Sequence, residues 1–181
     1  MLHPLLVSVL SANMIATTPA AALGATPVSA SRTMLASPPL GLVDSIVVEK
    51  KARTLTLFRD GRPMRTYLVA LGAQPRGDKL RAGDNRTPEG VFYIDARQPN
   101  SKYHLALHIS YPDVAHRARS QAIGAEPGGD IMIHGLPNGM GKAGASHRMN
   151  DWTNGCVALT DEEIEQIWSV VPIGTPVEIK P

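Results

Sequence analysis

The sequence predicts an α+β domain, mostly β, with a single antiparallel sheet and two short helices. Two observations carry that class. Short alternating runs of apolar and polar residues, bounded by turn residues, recur from Ser45 to Leu71 and again from Val91 to Ile109. Helix signals occur in only two places, at Asp113 to Ile123 and at Thr160 to Val171.

The first runs are Ser45 to Glu49, Thr54 to Phe58 and Arg65 to Leu71. Thr54, Leu55, Thr56 and Leu57 alternate, and Asp60-Gly61 is a hairpin signal between the last two runs, so the three read as an antiparallel meander. Gly72 to Glu89 follows, rich in glycine and charge and long for a passive connection. Its Arg76, Lys79, Arg81 and Arg86 outnumber Asp78 and Asp84. It is either a solvated loop or a cleft wall that meets anionic groups of a substrate, with Arg86 the best single candidate.

Val91 to Asp95 and Tyr103 to Ile109 are further strands, the second placing His104 and His108 on one face. With His134 or His116 they suggest a zinc site, but no second cysteine or ligand spacing supports one, and polar-face histidines are the better account. Asp113 caps a helix that ends at Gly124. Ile131 to Ile133 is a buried strand leaving His134 at its mouth before Gly135. Thr160-Asp161-Glu162-Glu163 is a capping box, and Ile164, Ile167, Trp168 and Val171 form one apolar helix face stopped by Pro172. Pro176 to Lys180 closes the sheet.

With 181 residues the chain is long enough for one domain with a sizeable core and too short for two comfortable ones. Residues 1–22 read as an export signal. Leu5 to Ile15 is a modest apolar run, too short and too polar for a membrane span, followed by the small residues Ala20 to Ala22. The absence of a basic start counts against this, and a disordered tail is the competing reading. Residues 23–42, rich in Ala, Ser and Pro, are a flexible linker, and 43–181 form the domain. Lys and Arg number 18 against 16 Asp and Glu, and aromatics are 4%, a balance that disfavours nucleic-acid binding.

The chemistry concentrates between Asp130 and Leu159. The only cysteine, Cys156, ends a tight Thr153-Asn154-Gly155-Cys156 turn. A thiol attacks carbonyls well when an imidazole takes its proton, so Cys156 and His134 are a candidate nucleophile and base if the fold joins them. A buried, inert cysteine is the alternative. The glycine turn argues against it, because Gly155 and its neighbours offer backbone N–H groups to a developing oxyanion.

His134-Gly135, a Gly-rich loop, and then Thr153-Asn154-Gly155-Cys156-Val157 resemble the signature of the L,D-transpeptidase (YkuD-type) catalytic domain. Gly83-Asp84-Asn85-Arg86-Thr87-Pro88-Glu89-Gly90 resembles a second block of that family, and Asp151 to Ala158 looks most like its YafK-like branch. The resemblance implies an exported enzyme of the periplasm or cell envelope, working in cell wall biogenesis or remodelling. It would act on peptidoglycan stem peptides through a thioester on Cys156, without a cofactor or metal. His134 would be proton donor and acceptor, and Gly155 an oxyanion donor. Gly135, Trp152, Thr153 and Asn154 would bind substrate together with Arg86.

Many members of the family have an Arg two positions after the cysteine, where this chain has Ala158. His147 and Arg148 are candidates to replace it as carboxylate partners. Gly139 to Ala145, with three glycines, is a flexible lid or a disordered loop. Three readings stay open: a transpeptidase, a hydrolase on the same scaffold that trims stems or detaches a wall-linked lipoprotein, and a non-catalytic wall-binding module.

Overall fold

The computed structural model describes residues 41–181. The expected export signal lies outside the described residues, as does all of the linker except its last two positions. The elements are β1 (Ser45–Glu49), β2 (Thr54–Arg59), β3 (Arg62–Leu68), β4 (Gly90–Ser101), β5 (His104–Ile109) and α1 (Val114–Ala122). Then come β6 (Met132–His134), a 3-10 segment (Gly141–Met149), β7 (Val157–Ala158), α2 (Asp161–Val170) and β8 (Pro176–Lys180).

All eight strands join one sheet in the order β3-β2-β1-β8-β4-β5-β6-β7. The meander β1 to β3 forms as local turn chemistry dictates. Asp60 and Gly61 both take positive φ, 50° and 68°, the backbone that a two-residue hairpin turn requires. The class matches the sequence and each expected strand is present, but β3 begins and ends earlier than Arg65 to Leu71, β4 runs on past Asp95 to Ser101, and the sheet is mixed rather than wholly antiparallel. β8 runs parallel to β1, and β6 runs parallel to β7. The reason is connectivity. The last strand inserts between β1 and β4, and β7 returns to the edge beside β6 after the long loop.

β4 is long because it serves two partners. Its first half pairs with β8, its second with β5, and register shifts near Ile94/Ala96 and Gln98/Ser101 bend it between them. The buried face carries Ile46, Val48, Leu55, Leu57, Phe92, Ile94, Val177 and Ile179, and Ile164, Ile167 and Val170 of α2 close over the core. α2 begins with the expected capping box. Thr160 Oγ1 accepts from Glu163 N, and Glu163 Oε2 accepts from Thr160 N at 3.0 Å. α1 starts at Asp113, whose carboxylate accepts from His116 N at 2.8 Å.

The third helical piece was not expected. Gly141–Met149 forms two short 3-10 turns across a kink at Gly144, where φ is 47° and ψ −138°. Glycine composition suggested a loop, but i to i+3 bonds lead into the segment, with Met140 N donating to Pro137 O at 2.8 Å and Ala143 N to Met140 O at 2.9 Å. None of the residues of this segment is buried.

Candidate active site

The turn that presents Cys156 is shaped by the side chain before it. Thr153 Oγ1 donates to Cys156 O at 2.8 Å and accepts from Gly155 N at 3.1 Å. Ala73 N donates to Thr153 O at 2.9 Å, and Thr153 N donates to Leu71 O at 3.1 Å, which stitches the turn to the start of the Gly72–Glu89 loop. Asp151 helps, since its carboxylate accepts from Leu71 N at 3.0 Å and pairs with Arg53 at 2.8 Å.

Gly155 is required twice over. Its φ is +132°, and a Cβ there would lie 2.6 Å from Arg86 O. The Gly72–Glu89 loop therefore lies directly against the back of the nucleophile turn.

His134 ends β6, and β7 lies beside it with His134 opposite Ala158 and Ile133 opposite Val157. Cys156 precedes Ala158 by two positions, so sulfur and imidazole rise on the same face of neighbouring strands. His134 Nδ1–H donates to Gly135 O at 2.7 Å, which leaves Nε2 as the unprotonated nitrogen of the neutral ring. Tyr103 packs on the ring with centroids 4.4 Å apart, and Trp152 meets it edge-on at 6.0 Å. Burial is the main reason that the imidazole pKa falls from 6.5 to about 4; the bond to Gly135 O opposes the shift and His147 adds to it. At neutral pH His134 is a neutral base.

Burial also pushes the Cys156 thiol up, against the opposing pull of the Met132 N–H and Lys79 and with some help from Asp130. The resting pair is thus thiol and imidazole rather than an ion pair. The thiol donates to Asp130 O at 3.5 Å, and Asp130 holds a positive φ of 54°. Such backbone is tolerated by Asp more readily than by bulky residues.

Cys156 and His134 line one open cleft of about 700 Å³. Trp152, Thr153 and Asn154 line it as expected, together with Tyr103, Lys102, Asp130 and Met132, which the sequence did not single out. No local motif marks these four. They reach the cleft because the register of β4, β5 and β6 puts them there.

Several expected residues stand elsewhere. Arg86 lines a separate cavity with Leu80, Asp84 and Ile123, and its Nη1 donates to Asp78 O at 3.3 Å. Its carbonyl, rather than its guanidinium, meets the nucleophile turn. Arg148 pairs with Glu163, and His147 lines a small apolar cavity with Leu136, Met140 and Trp152, so neither lines the Cys156 cleft. Gly155 N–H is bound to Thr153 Oγ1 and is not free for an oxyanion. Among the described residues Cys156 N–H has no acceptor, which makes it the available donor.

Gly135 serves the base by close packing. A Cβ would sit 2.7 Å from Asp161 Oδ1 and 3.0 Å from Ile164 Cγ2. Among the described residues, three further histidines find carboxylates one by one, His104 with Glu165 at 2.8 Å, His108 with Asp95, and His116 between Asp113 and Asp78.

A mixed sheet that brings a thiol and a neutral imidazole into one open cleft has the parts for attack of sulfur on a carbonyl. Comparison with known proteins places that combination. The family model for the YkuD L,D-transpeptidase catalytic domain matches residues 44–179, and the chain belongs to this family.

Among relatives, YafK of Escherichia coli strain K12 is 29% identical over 132 residues, covering 70% of this chain and 46% of YafK. YkuD of Bacillus subtilis strain 168 is 30% identical over 141 residues, covering 74% of this chain and 64% of YkuD. The chain thus spans about half the length of the first of these and under two thirds of the second. Of solved structures, the helical cell shape determining protein Pgp2 of Campylobacter jejuni superposes with a TM-score of 0.58 at 25% identity, covering 79% of this chain and 51% of Pgp2. An L,D-transpeptidase of Mycobacterium smegmatis shares the fold at a TM-score of 0.50 and 17% identity, covering 75% of this chain and 58% of its own.

Proposed function

We propose that this chain is a cysteine-dependent L,D-transpeptidase that remodels peptidoglycan stem peptides in the cell envelope through a thioester on Cys156. The observation that supports it most is the shared cleft of Cys156 and His134, with His134 Nε2 unprotonated. As Cys156 Sγ bonds to the amide carbonyl, His134 Nε2 takes the thiol proton and the oxyanion faces Cys156 N–H. Collapse expels the amine, which receives that proton from His134, and leaves a thioester. A second amine then attacks the thioester, giving up its proton to His134 as the thiolate departs. A neutral starting pair suits this sequence, because the base is free to accept a proton at neutral pH.

A hydrolytic outcome has its own support. Ala158 carries no charge, and Arg86 and Arg148 do not line the cleft, so fewer groups orient an acceptor amine against water in trimming stems or releasing a wall-linked protein.

The test is to incubate the protein with muropeptides and analyse products and intact protein by mass spectrometry. Wild type is expected to give an acyl adduct on Cys156 together with cross-linked or trimmed products, and Cys156→Ser to give neither. Product formation undiminished in Cys156→Ser would overturn the assignment.

A further inference from the structure

We propose that Lys102 recognises a substrate carboxylate in the Cys156 cleft and so sets the specificity of the site; the proposal rests on the peptide-binding reading above. The cleft lining contains one cationic and one anionic side chain, Lys102 and Asp130; His134 is neutral. Among the described residues the Lys102 ammonium has neither an ion pair nor a hydrogen bond, whereas the other cations near the site are engaged. Lys50 pairs with Glu89, Arg53 with Asp151, Lys79 with Asp84 and Arg148 with Glu163.

The turn that carries Lys102 is fixed. Asn138 N donates to Lys102 O at 3.0 Å, Asn138 Nδ2 donates to Ser101 O at 3.1 Å, and Asn138 Oδ1 accepts from His104 N at 2.9 Å. The next residue, Tyr103, packs on the His134 ring. The backbone of Lys102 is therefore held at a set place relative to the base, and its exposed, unpaired side chain is tethered at the cleft.

The counter-charge narrows the ligand class. With Asp130 in the same lining, the cleft has no net charge and offers no net attraction to a polyanion such as a polyphosphate. It suits a carboxylate with an amine near it, the pattern of an amino-acid end. A stem peptide offers that pattern on the diamino-acid side chain, where a free amine adjoins the carboxylate, and a second carboxylate, beside an amide, at its terminus.

The experiment reads occupancy of the cleft, by bound peptide or by its acyl adduct, as protection of Cys156 from iodoacetamide. Three peptides are compared: a stem tetrapeptide with free carboxylates, the same peptide amidated at the diamino-acid side chain, and the same peptide amidated at its terminus. In wild type, one of the two amidations is expected to weaken protection about tenfold, in line with loss of a charge-assisted hydrogen bond. In Lys102→Met the unmodified peptide should protect about tenfold less well, that amidation should have no further effect, and Lys102→Arg should recover most of the loss. Lys102 makes only backbone bonds, so the alkylation rate without peptide should be unchanged.

The proposal is overturned if no peptide protects wild type, or if amidation weakens Lys102→Met as much as it weakens wild type. Protection with the expected pattern but without any product would remove the acyl-transfer reading and leave the assignment of Lys102 standing.

Discussion

Two long glycine-containing connections flank the nucleophile turn, and they are held in opposite ways. Gly72 to Glu89 is tied down at Asp78, Lys79, Asp84, Arg86 and Glu89. Lys50, nearly buried, donates to Gly77 O at 2.7 Å, Thr87 O at 2.9 Å and Glu89 Oε1 at 2.7 Å. Asp84 pairs with Lys79 and accepts from Leu80, Arg81 and Arg86 N–H groups; against the upward push of burial these bonds hold its carboxyl below the usual range. Asp78 accepts from Glu89 N at 2.8 Å, meets His116 Nε2 at 3.2 Å and pairs with Arg119 at 2.6 Å.

The 3-10 segment from Gly141 to Met149 buries no residue, kinks at Gly144, and leaves His147 Nε2 and Arg148 Nε buried without partners. Charge in the first connection therefore braces the Cys156 turn from behind, while the second connection rests on it lightly. Composition does not separate the two. What separates them is how many bonds their charges make: Lys50, Asp78 and Asp84 each join several points of the first connection, whereas, among the described residues, the second is tied by the single pair of Arg148 with Glu163.

The largest effect should come from cutting the brace. Lys50→Met removes the only side chain that joins Gly77, Thr87 and Glu89, leaving a partly buried carboxylate and two carbonyls without their donor. Breaking such a pair costs about 3 kcal/mol or more, a large share of the 5 to 15 kcal/mol that holds a typical domain together. Urea unfolding should show that loss, and Cys156 alkylation should change because Arg86 O supports Gly155. A midpoint within error of wild type would mean that the brace does not hold the turn.

A middle-sized effect should appear with pH, and it sharpens what the two regions do to the base between them. His134 has a folded pKa of about 4 against 6.5 for an ordinary histidine. Between those values the unfolded chain binds a proton that the folded chain refuses, so stability is full above pH 6.5 and falls as pH drops towards 4. The loss is about 3 kcal/mol at most. Unfolding free energies measured across that window should slope less in His134→Gln. His147→Gln should keep most of the slope, because burial rather than His147 is the main cause. If His147→Gln removed it, the lightly held segment would govern the base after all.

Legibility followed distance along the chain. The Asp60-Gly61 hairpin, the Asp113 cap and the Thr160–Glu163 capping box were readable because each is closed within a few residues. The parallel pairings of β1 with β8 and of β6 with β7 were not, since nothing local specifies which strands meet across the sheet. The same limit applied at the candidate site. Cys156, His134 and the glycine between Asn154 and Cys156 were visible as a motif. The use of Gly155 N–H by Thr153, the packing of Tyr103 on His134 and the place of Lys102 in the cleft all depend on register. Arg86 and Arg148 were misplaced for one reason: a cation in a loop looks available until its carboxylate or carbonyl acceptor is seen.

The smallest effect should come from Arg148, and the comparison stands or falls on its being small. Arg148 pairs with Glu163, yet Glu163 Oε2 also accepts from Thr160 N at 3.0 Å, and its charge sits in the first turn of α2. A carboxylate there is favoured by the helix dipole and loses little when one partner is removed. Arg148→Met also deletes the buried Nε that has no acceptor, which offsets part of the lost pairing. The net change in stability should be about 0 to 1 kcal/mol. Because the guanidinium does not line the Cys156 cleft, kcat/KM on stem peptides should stay within about threefold of wild type, a shift worth less than 1 kcal/mol. A tenfold rise in KM for Arg148→Met would show that the segment swings its cation onto the substrate. It would then be a working lid, and the division between a tight brace and a light cap would have to be redrawn.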